Sequence, residues 1–180
     1  MEYPQQYNNP VFVDNRGSFA PLSLDYTDSF RIILNKKWIQ SNISHNPLKY
    51  TLRGLHFQIG EYAQAKLIKV ITGGIIDFVM DIREESPEHL KLHMFKLEPG
   101  DELIVPRGYA HGFLTTENNT IVQYLVDNVY SPQNEGIISY LDIDNLLDRL
   151  KEKLPTEPNL KSKIIIHQKD LLTKNYKNAK

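Results

Sequence analysis

Several polar side chains in this sequence stand inside short apolar runs, where they could do chemistry. His56 lies in Thr51-Leu52-Arg53-Gly54-Leu55-His56-Phe57-Gln58, an imidazole three residues after a guanidinium with a glycine between them. Strand alternation gives positions 53 and 56 opposite parity, so both reach one cavity only if the strand bulges or bends, and Gly54 is where that could happen. Taken alone, a strand histidine is more often a satisfied core or surface group. Lys66 shares parity with Ile68 and Val70; if that face is interior, its ammonium needs an anion or a developing charge. Lys69 sits on the other face, so periodicity leaves the choice open. Asp77 and Asp81 share a face with Ile75 and Val79, while Ile76, Phe78 and Met80 take the other, so two solvated carboxylates are as good a reading as two buried ones. His111 follows a turn-rich segment, Pro106-Arg107-Gly108-Tyr109-Ala110. Tyr124 shares parity with Val122 and Val126, where a tyrosine is as often core as functional. Tyr130, just beyond that strand, could equally be an edge residue. Together these groups offer a base, a phenol and two cations. That set suits proton transfer beside a carbonyl: one group removes a carbon-bound proton, a cation stabilises the enolate oxygen, and an acid returns a proton.

The elements that must position these groups are short. Segments rich in Val, Ile, Phe, Tyr and Leu, separated by Gly, Pro, Asn and Asp, predict strands at 19–24, 37–44, 50–57, 65–71, 75–82, 92–97, 102–105, 112–115 and 120–127. Gly73-Gly74 between two β-branched runs is a two-residue hairpin signal. Many short strands closely spaced predict a mainly β fold, a jelly-roll β-barrel, rather than βαβ units. After Tyr140 the apolar residues Leu141, Ile143, Leu146, Leu147, Leu150 and Leu154 recur near the 3.6 period, which predicts a short C-terminal amphipathic helical segment over 141–154, stopped by Pro155 and Pro158. A short strand at 164–166 and a Lys/Asn-rich tail follow. No repeat or linker divides the chain, so one domain over 1–180 is expected, with the barrel at 11–140.

Composition narrows the partners. The formal charge of -1, with no Lys/Arg-dense block, gives no footprint for nucleic acid or for a membrane surface, which points to small-molecule partners. There is no cysteine, which excludes disulfides, thiolate metal sites and a Cys nucleophile. The sequence has no signal-peptide pattern and no run near the ~20 apolar residues that cross a bilayer, so a cytoplasmic location is expected. The metal pattern of cupin barrels pairs two histidines as H-x-H; here the segment is His56-Phe57-Gln58. His56 and His111 alone fall short of the ligand count typical of a catalytic metal, so no metal is expected.

Read in order, these segments resemble the dTDP-4-dehydrorhamnose 3,5-epimerase family over residues 11–140. The family's D-x-R-G-x-F element is matched by Asp14 to Phe19, its W/F-V-Q-x-N-x-S by Trp38 to Ser44, and its L-R-G-L-H-F/Y-Q by Leu52 to Gln58. The K-L-V-R, D-x-x-x-D-I-R and P-x-G-F-A-H-G-F elements follow as Lys66 to Lys69, Asp77 to Arg83, and Pro106 to Phe113. The resemblance implies a cupin-type jelly roll and a cofactor-independent epimerisation of a nucleotide-linked 4-keto-6-deoxy sugar at C3 and C5. It implies His56 as general base, Lys66 on the C4 oxygen and Tyr124 as the opposing acid. It also implies an aspartate partner for the base, which His167-Gln168-Lys169-Asp170 offers as Asp170. An imidazole's ordinary pKa of ~6.5 suits such a base at neutral pH. Arg53, Gln40, Asn42, His111 and Tyr130 match positions that line the substrate or its diphosphate. Arg16 and Phe19 match an N-terminal segment passed to the neighbouring subunit, which implies a homodimer.

The departures are specific. Pro21 stands where the family usually carries a base-contacting Glu, which leaves the nucleotide open. Leu125 replaces a common Lys, and Tyr140 with a charged helix replaces the family's W-N-D-P...W-P run. Other readings are a 3-epimerase or ketoisomerase on a related nucleotide sugar, a non-catalytic sugar-binding cupin and a metal-dependent cupin. Retention of His56, Lys66 and Tyr124 together argues against the binder, which needs no base and acid across a cavity.

Overall fold

The computed structural model describes residues 3–8, 37–157 and 159–176 throughout, and the backbone alone of 12–14 and 17–19. The strands, in chain order, are β1 Gln5–Asn8, β2 Phe12–Asp14, β3 Gly17–Phe19, β4 Gln40–Asn46, β5 Thr51–Gln58, β6 Lys66–Thr72, β7 Ile75–Asp81, β8 Leu92–Leu97, β9 Asp101–Val105, β10 Tyr109–Thr115, β11 Thr120–Val126, β12 Glu135–Ile137 and β13 Ile165–Ile166. Among the described residues they form two main sheets. One has the order β1-β9-β6-β11-β4; the other runs β12-β5-β10-β7-β8, with β13 pairing parallel to β5. Non-consecutive strands lie side by side in both, as a jelly-roll barrel requires.

Two apolar layers explain why the second sheet reads ambiguously in sequence. Between the sheets, Ile68, Val70, Ile75, Val79, Leu103, Phe113 and Val122 pack together. On the outer face of the second sheet, Leu52, Phe57, Ile76, Phe78 and Met80 pack beneath Leu146, Leu150 and Leu160. Every residue of β7 is therefore buried, because a helical layer covers the face that would otherwise meet water. The Asp77 and Asp81 face is the inner one. In β6, Lys66 also points inward with Ile68 and Val70, whereas Lys69 takes the outer face and pairs with Glu102 at 3.5 Å.

Gly73-Gly74 does not close a hairpin. β6 pairs with β9 and β11, and β7 with β10 and β8, so the turn carries the chain from one sheet to the other. Gly73 has φ of +77°, and a Cβ there would stand 2.3 Å from Thr120 Oγ1. The helix expected over 141–154 is shorter: a 3-10 turn at Tyr140–Asp142, then α1 at Leu146–Lys153. Asn145, with φ of +57°, breaks the two apart, a conformation that asparagine adopts more readily than most residues. Helix α1 ends at Lys153, with Leu154 as its non-helical C-cap before Pro155, because proline disfavours helical backbone in the residue that precedes it. Pro158 and residues 20–24 lie outside the described residues. A second short helix, α2 at Leu160–Lys163, leads into β13. Neither β1, Gln-Gln-Tyr-Asn, nor the three-residue β12 carries the apolar alternation that announces a strand. Among the described residues no helix is long and apolar enough to cross a membrane.

Candidate active site

β5 enters the barrel beside β10, with His56 opposite His111 and Arg53 opposite Phe113; the register slips between them. The slip falls at Gly54, whose φ is +95°. A Cβ on Gly54 would lie 2.6 Å from the His111 carbonyl oxygen and 2.8 Å from Gly112 Cα, and one on Gly112 would lie 2.4 Å from the Arg53 carbonyl oxygen. Two glycines thus let the strands approach, and the irregularity changes parity so that Arg53 and His56 line one cavity.

That cavity is about 350 Å³. Its walls come from both sheets: His56, Arg53 and His111 from the second, Lys66 and Tyr124 from the first. Tyr130 stands at the mouth, 51% exposed. The base and acid candidates therefore face the cavity from opposite sheets.

His56 Nε2 lies 2.7 Å from Asp170 Oδ1, a contact 114 residues apart in sequence. The 3-10 turn Gln168–Leu171, which follows β13 where it joins β5, carries Asp170 to this point. Its second oxygen accepts the Gly54 N–H at 3.2 Å. Burial pushes the Asp170 carboxyl up, but the hydrogen bond and charge of His56, with the Gly54 amide, outweigh it and hold the group below the usual carboxylate range. An ionised Asp170 accepts from Nε2–H, which leaves Nδ1 as the basic nitrogen of the ring.

A second histidine–aspartate pair lies deeper. His111 Nε2 is 2.8 Å from Asp77 Oδ2, and both residues are buried. Burial raises the Asp77 carboxyl against the opposing influence of His111 and Lys66, and burial lowers the His111 imidazole against that of Asp77. Both directions favour a neutral hydrogen-bonded pair. Asp77 Oδ1 makes no hydrogen bond among the described residues.

Lys66 is 8% exposed, and its ammonium donates to the His56 carbonyl oxygen at 3.2 Å. Burial brings its pKa down to about 8, opposed by the charges of Asp77 and Glu135. Such a lysine is still mostly a cation at neutral pH and has little competing hydration, which suits it to an oxyanion. Tyr124 is half-buried; burial raises its phenol, against the charge of Arg53, so it stays a proton donor. Arg53 Nε donates to Asn46 Oδ1 at 2.7 Å, which aims an exposed guanidinium along the cavity edge.

Other expected residues lie apart. Asn42 pairs with Tyr124 in register and so shares its face, but Gln40 and Asn42 are outside the cavity wall and hydrogen-bond to each other at 2.7 Å. Asp81 is structural: it receives Arg83 at 2.6 Å and Ser86 at 2.6 Å. Arg16 and the Phe19 side chain lie outside the described residues. Sequence reasoning missed Gln58, Gln64 and Glu135, which also line the cavity. Glu135 opens a strand too short to show a period, and only its pairing with β5 turns it inward. Among the described residues, no three His, Asp or Glu side chains gather as a metal site would need.

Residues 5–177 match the family model described as dTDP-4-dehydrorhamnose 3,5-epimerase. An enzyme of that name from Salmonella typhimurium is 39% identical over 136 residues, 73% of this chain and 73% of that protein. The crystal structure of a dTDP-4-dehydrorhamnose 3,5-epimerase from Bacillus anthracis, with TDP and PPi bound, is 31% identical with a TM-score of 0.74, covering 95% of this chain and 93% of that one. An epimerase from Legionella pneumophila in complex with dTDP-4-keto-L-rhamnose is 26% identical with a TM-score of 0.72, covering 93% and 84%.

Proposed function

This chain belongs to the dTDP-4-dehydrorhamnose 3,5-epimerase family, and from that premise we propose that it inverts C3 and C5 of a dTDP-linked 4-keto-6-deoxy sugar. The observation that carries the reading is the His56–Asp170 pair, 2.7 Å apart, on one wall of a cavity whose opposite wall bears Lys66 and Tyr124.

The C4 carbonyl acidifies the protons on both neighbouring carbons. His56 Nδ1 takes the proton from C3; the C–H electron pair becomes a carbon–carbon double bond, and the carbonyl electrons move to O4. The Lys66 ammonium stabilises that enolate oxygen. Tyr124, on the opposite wall, donates its proton to the other face of C3, which inverts the centre and leaves a phenolate and an imidazolium. Solvent, reaching His56 through the cavity mouth, takes the imidazolium proton, and the phenolate takes a proton from solvent in turn. The same sequence then runs at C5. Asp170 holds the ring in the tautomer that presents Nδ1 and supports the imidazolium as it forms. Arg53 and Tyr130 at the mouth, with Gln40 and Asn42 on the adjoining edge strand, hold the diphosphate and nucleoside, the guanidinium in bidentate contact with phosphate. His111 bounds the sugar from below. No metal or cofactor enters the scheme.

The active form is a homodimer acting in the cytoplasm, its N-terminal segment with Arg16 and Phe19 completing the neighbour's site. The edge strand β4 supports this reading, since Ile43 is 72% exposed on it.

The test is proton NMR of dTDP-4-keto-6-deoxyglucose incubated with the protein in deuterated water, beside His56→Ala. Deuterium enters C3 and C5 with the wild type and neither with the variant. Deuterium at C3 alone would make the protein a 3-epimerase, and none at either carbon would overturn the enzymatic reading.

A further inference from the structure

Tyr130, at the cavity mouth, stands on neither strand nor helix. It lies in the connection 127–134 between β11 and β12 and is 51% exposed. Among the described residues it makes no backbone hydrogen bond of its own. A ring carried on a free segment loses conformational freedom when it meets a ligand, and that loss lowers affinity unless the segment is already fixed.

Two carboxamides fix it, one on each side. Gln64, just before β6, donates its Nε2 to the Asn128 carbonyl oxygen at 2.9 Å. Gln58, the last residue of β5, accepts the Ser131 N–H on its Oε1 at 2.9 Å. Both glutamines line the cavity, and Gln58 is 8% exposed. The flanking residues are stiffened further. Asn128 donates to the Glu61 and Ala63 carbonyls at 2.7 Å and 3.3 Å and accepts the Val129 N–H at 2.9 Å, and Asn134 donates to Ser131 Oγ at 2.8 Å. The C-terminal segment reaches the connection only beyond Ser131, through Lys174 and Asn175 to the carbonyls of Pro132, Gln133 and Glu135. Gln58 follows His56 by two residues on β5, and Gln64 precedes Lys66 by two where β6 begins. The groups that place Tyr130 thus share backbone with those that face the sugar.

We infer that Gln58 and Gln64 are positioning residues, a clasp that holds Tyr130 at the cavity mouth in place for the nucleoside diphosphate. The inference rests on the epimerase reading, in which Tyr130 meets that part of the substrate. Loosening the clasp leaves the proton-transfer groups where they are, so it weakens binding more than it slows chemistry.

The experiment is calorimetric titration with dTDP, beside KM and kcat from deuterium exchange. It compares the wild type, Gln58→Met, Gln64→Met, Tyr130→Ala and each glutamine variant combined with Tyr130→Ala. Methionine is close to glutamine in length and offers Ser131 no carbonyl oxygen. Gln58→Met should weaken dTDP binding and raise KM about five-fold, with kcat falling less than about two-fold. Gln64→Met should act in the same direction by about two-fold, because Asn128 keeps its bonds to Glu61 and Ala63. Neither should weaken binding further once Tyr130→Ala has removed the ring. A loss that repeats in full without the ring, or one confined to kcat, overturns the inference. If Gln58→Met does not fold, the Gln64→Met cycle, made at a half-buried side chain, decides by the same criteria. Wild type that binds dTDP with this pattern but exchanges no deuterium would sink the epimerase reading and keep the clasp. Exchange with additive losses would sink the clasp alone, and no affinity for dTDP would sink both.

Discussion

Among the described residues, two histidine–aspartate pairs have nearly the same length, 2.7 Å and 2.8 Å, and their surroundings give them opposite characters. His56 has a side chain 27% exposed, and its aspartate also receives a backbone amide, so Asp170 is held below the usual carboxylate range. His111 is 8% exposed, and its aspartate has one oxygen without a hydrogen bond among the described residues, so burial wins and Asp77 is raised. The difference teaches that a short contact between an imidazole and a carboxyl does not define a base. The donors around the carboxyl and access to water decide whether the pair can cycle a proton.

The sharpest test of this contrast is an amide in place of each carboxyl. Asp170→Asn removes the charge that fixes the His56 tautomer and supports its protonated form, and kcat for deuterium exchange should fall by roughly 10²–10⁴-fold. Asp77→Asn replaces a carboxyl that is already driven neutral, so kcat should fall by no more than about 10-fold. Equal losses in the two variants would erase the distinction.

Gly54 joins the pairs, since it donates to Asp170 and touches the His111 carbonyl, so Gly54→Ala should disturb both at once. A Cβ 2.6 Å from that oxygen, at a positive φ, should cost about 2–4 kcal/mol in a denaturant melt. A melt unchanged within error would mean that the slip in register is not what seats the two strands.

The smallest expected effect is on stability against pH. Asp170 has a depressed pKa, so its contribution is present above the unfolded value of 3.8 and is lost as pH falls through the folded one. Asp77 has a raised pKa, so acidification from its folded value down to 3.8 adds stability instead. Thermal melts of the two amide variants should therefore depart from the wild type in opposite senses below neutral pH. Parallel curves would show that the two carboxyls share one environment.

Much of the site was legible in the residues. The opposite parity of Arg53 and His56 demands a bulge, Gly54 is the residue able to form it, and the register slips there. The strands from β5 to β11 follow their apolar segments closely because each carries enough β-branched and aromatic residues to show a boundary. What was not legible is what alternation cannot decide. In β7 both faces are buried, one by the opposing sheet and one by the helices, so the pattern alone could not say whether the aspartates met water. The Gly73-Gly74 signal gave a turn without saying that it crosses between sheets.

The sequence by itself determined the chemical inventory and the local elements: an imidazole, an ammonium and a phenol set in short strands, with turn residues between them. Those follow from side-chain type and backbone preference, which act over a few residues. Tertiary structure alone decided which faces turn inward, that Asp170 meets His56 across 114 residues, that Glu135 enters the cavity, and which histidine–aspartate pair keeps its charge. These depend on distant strands meeting and on the water they exclude, and burial exists only once the two sheets and the C-terminal helices have closed over one another.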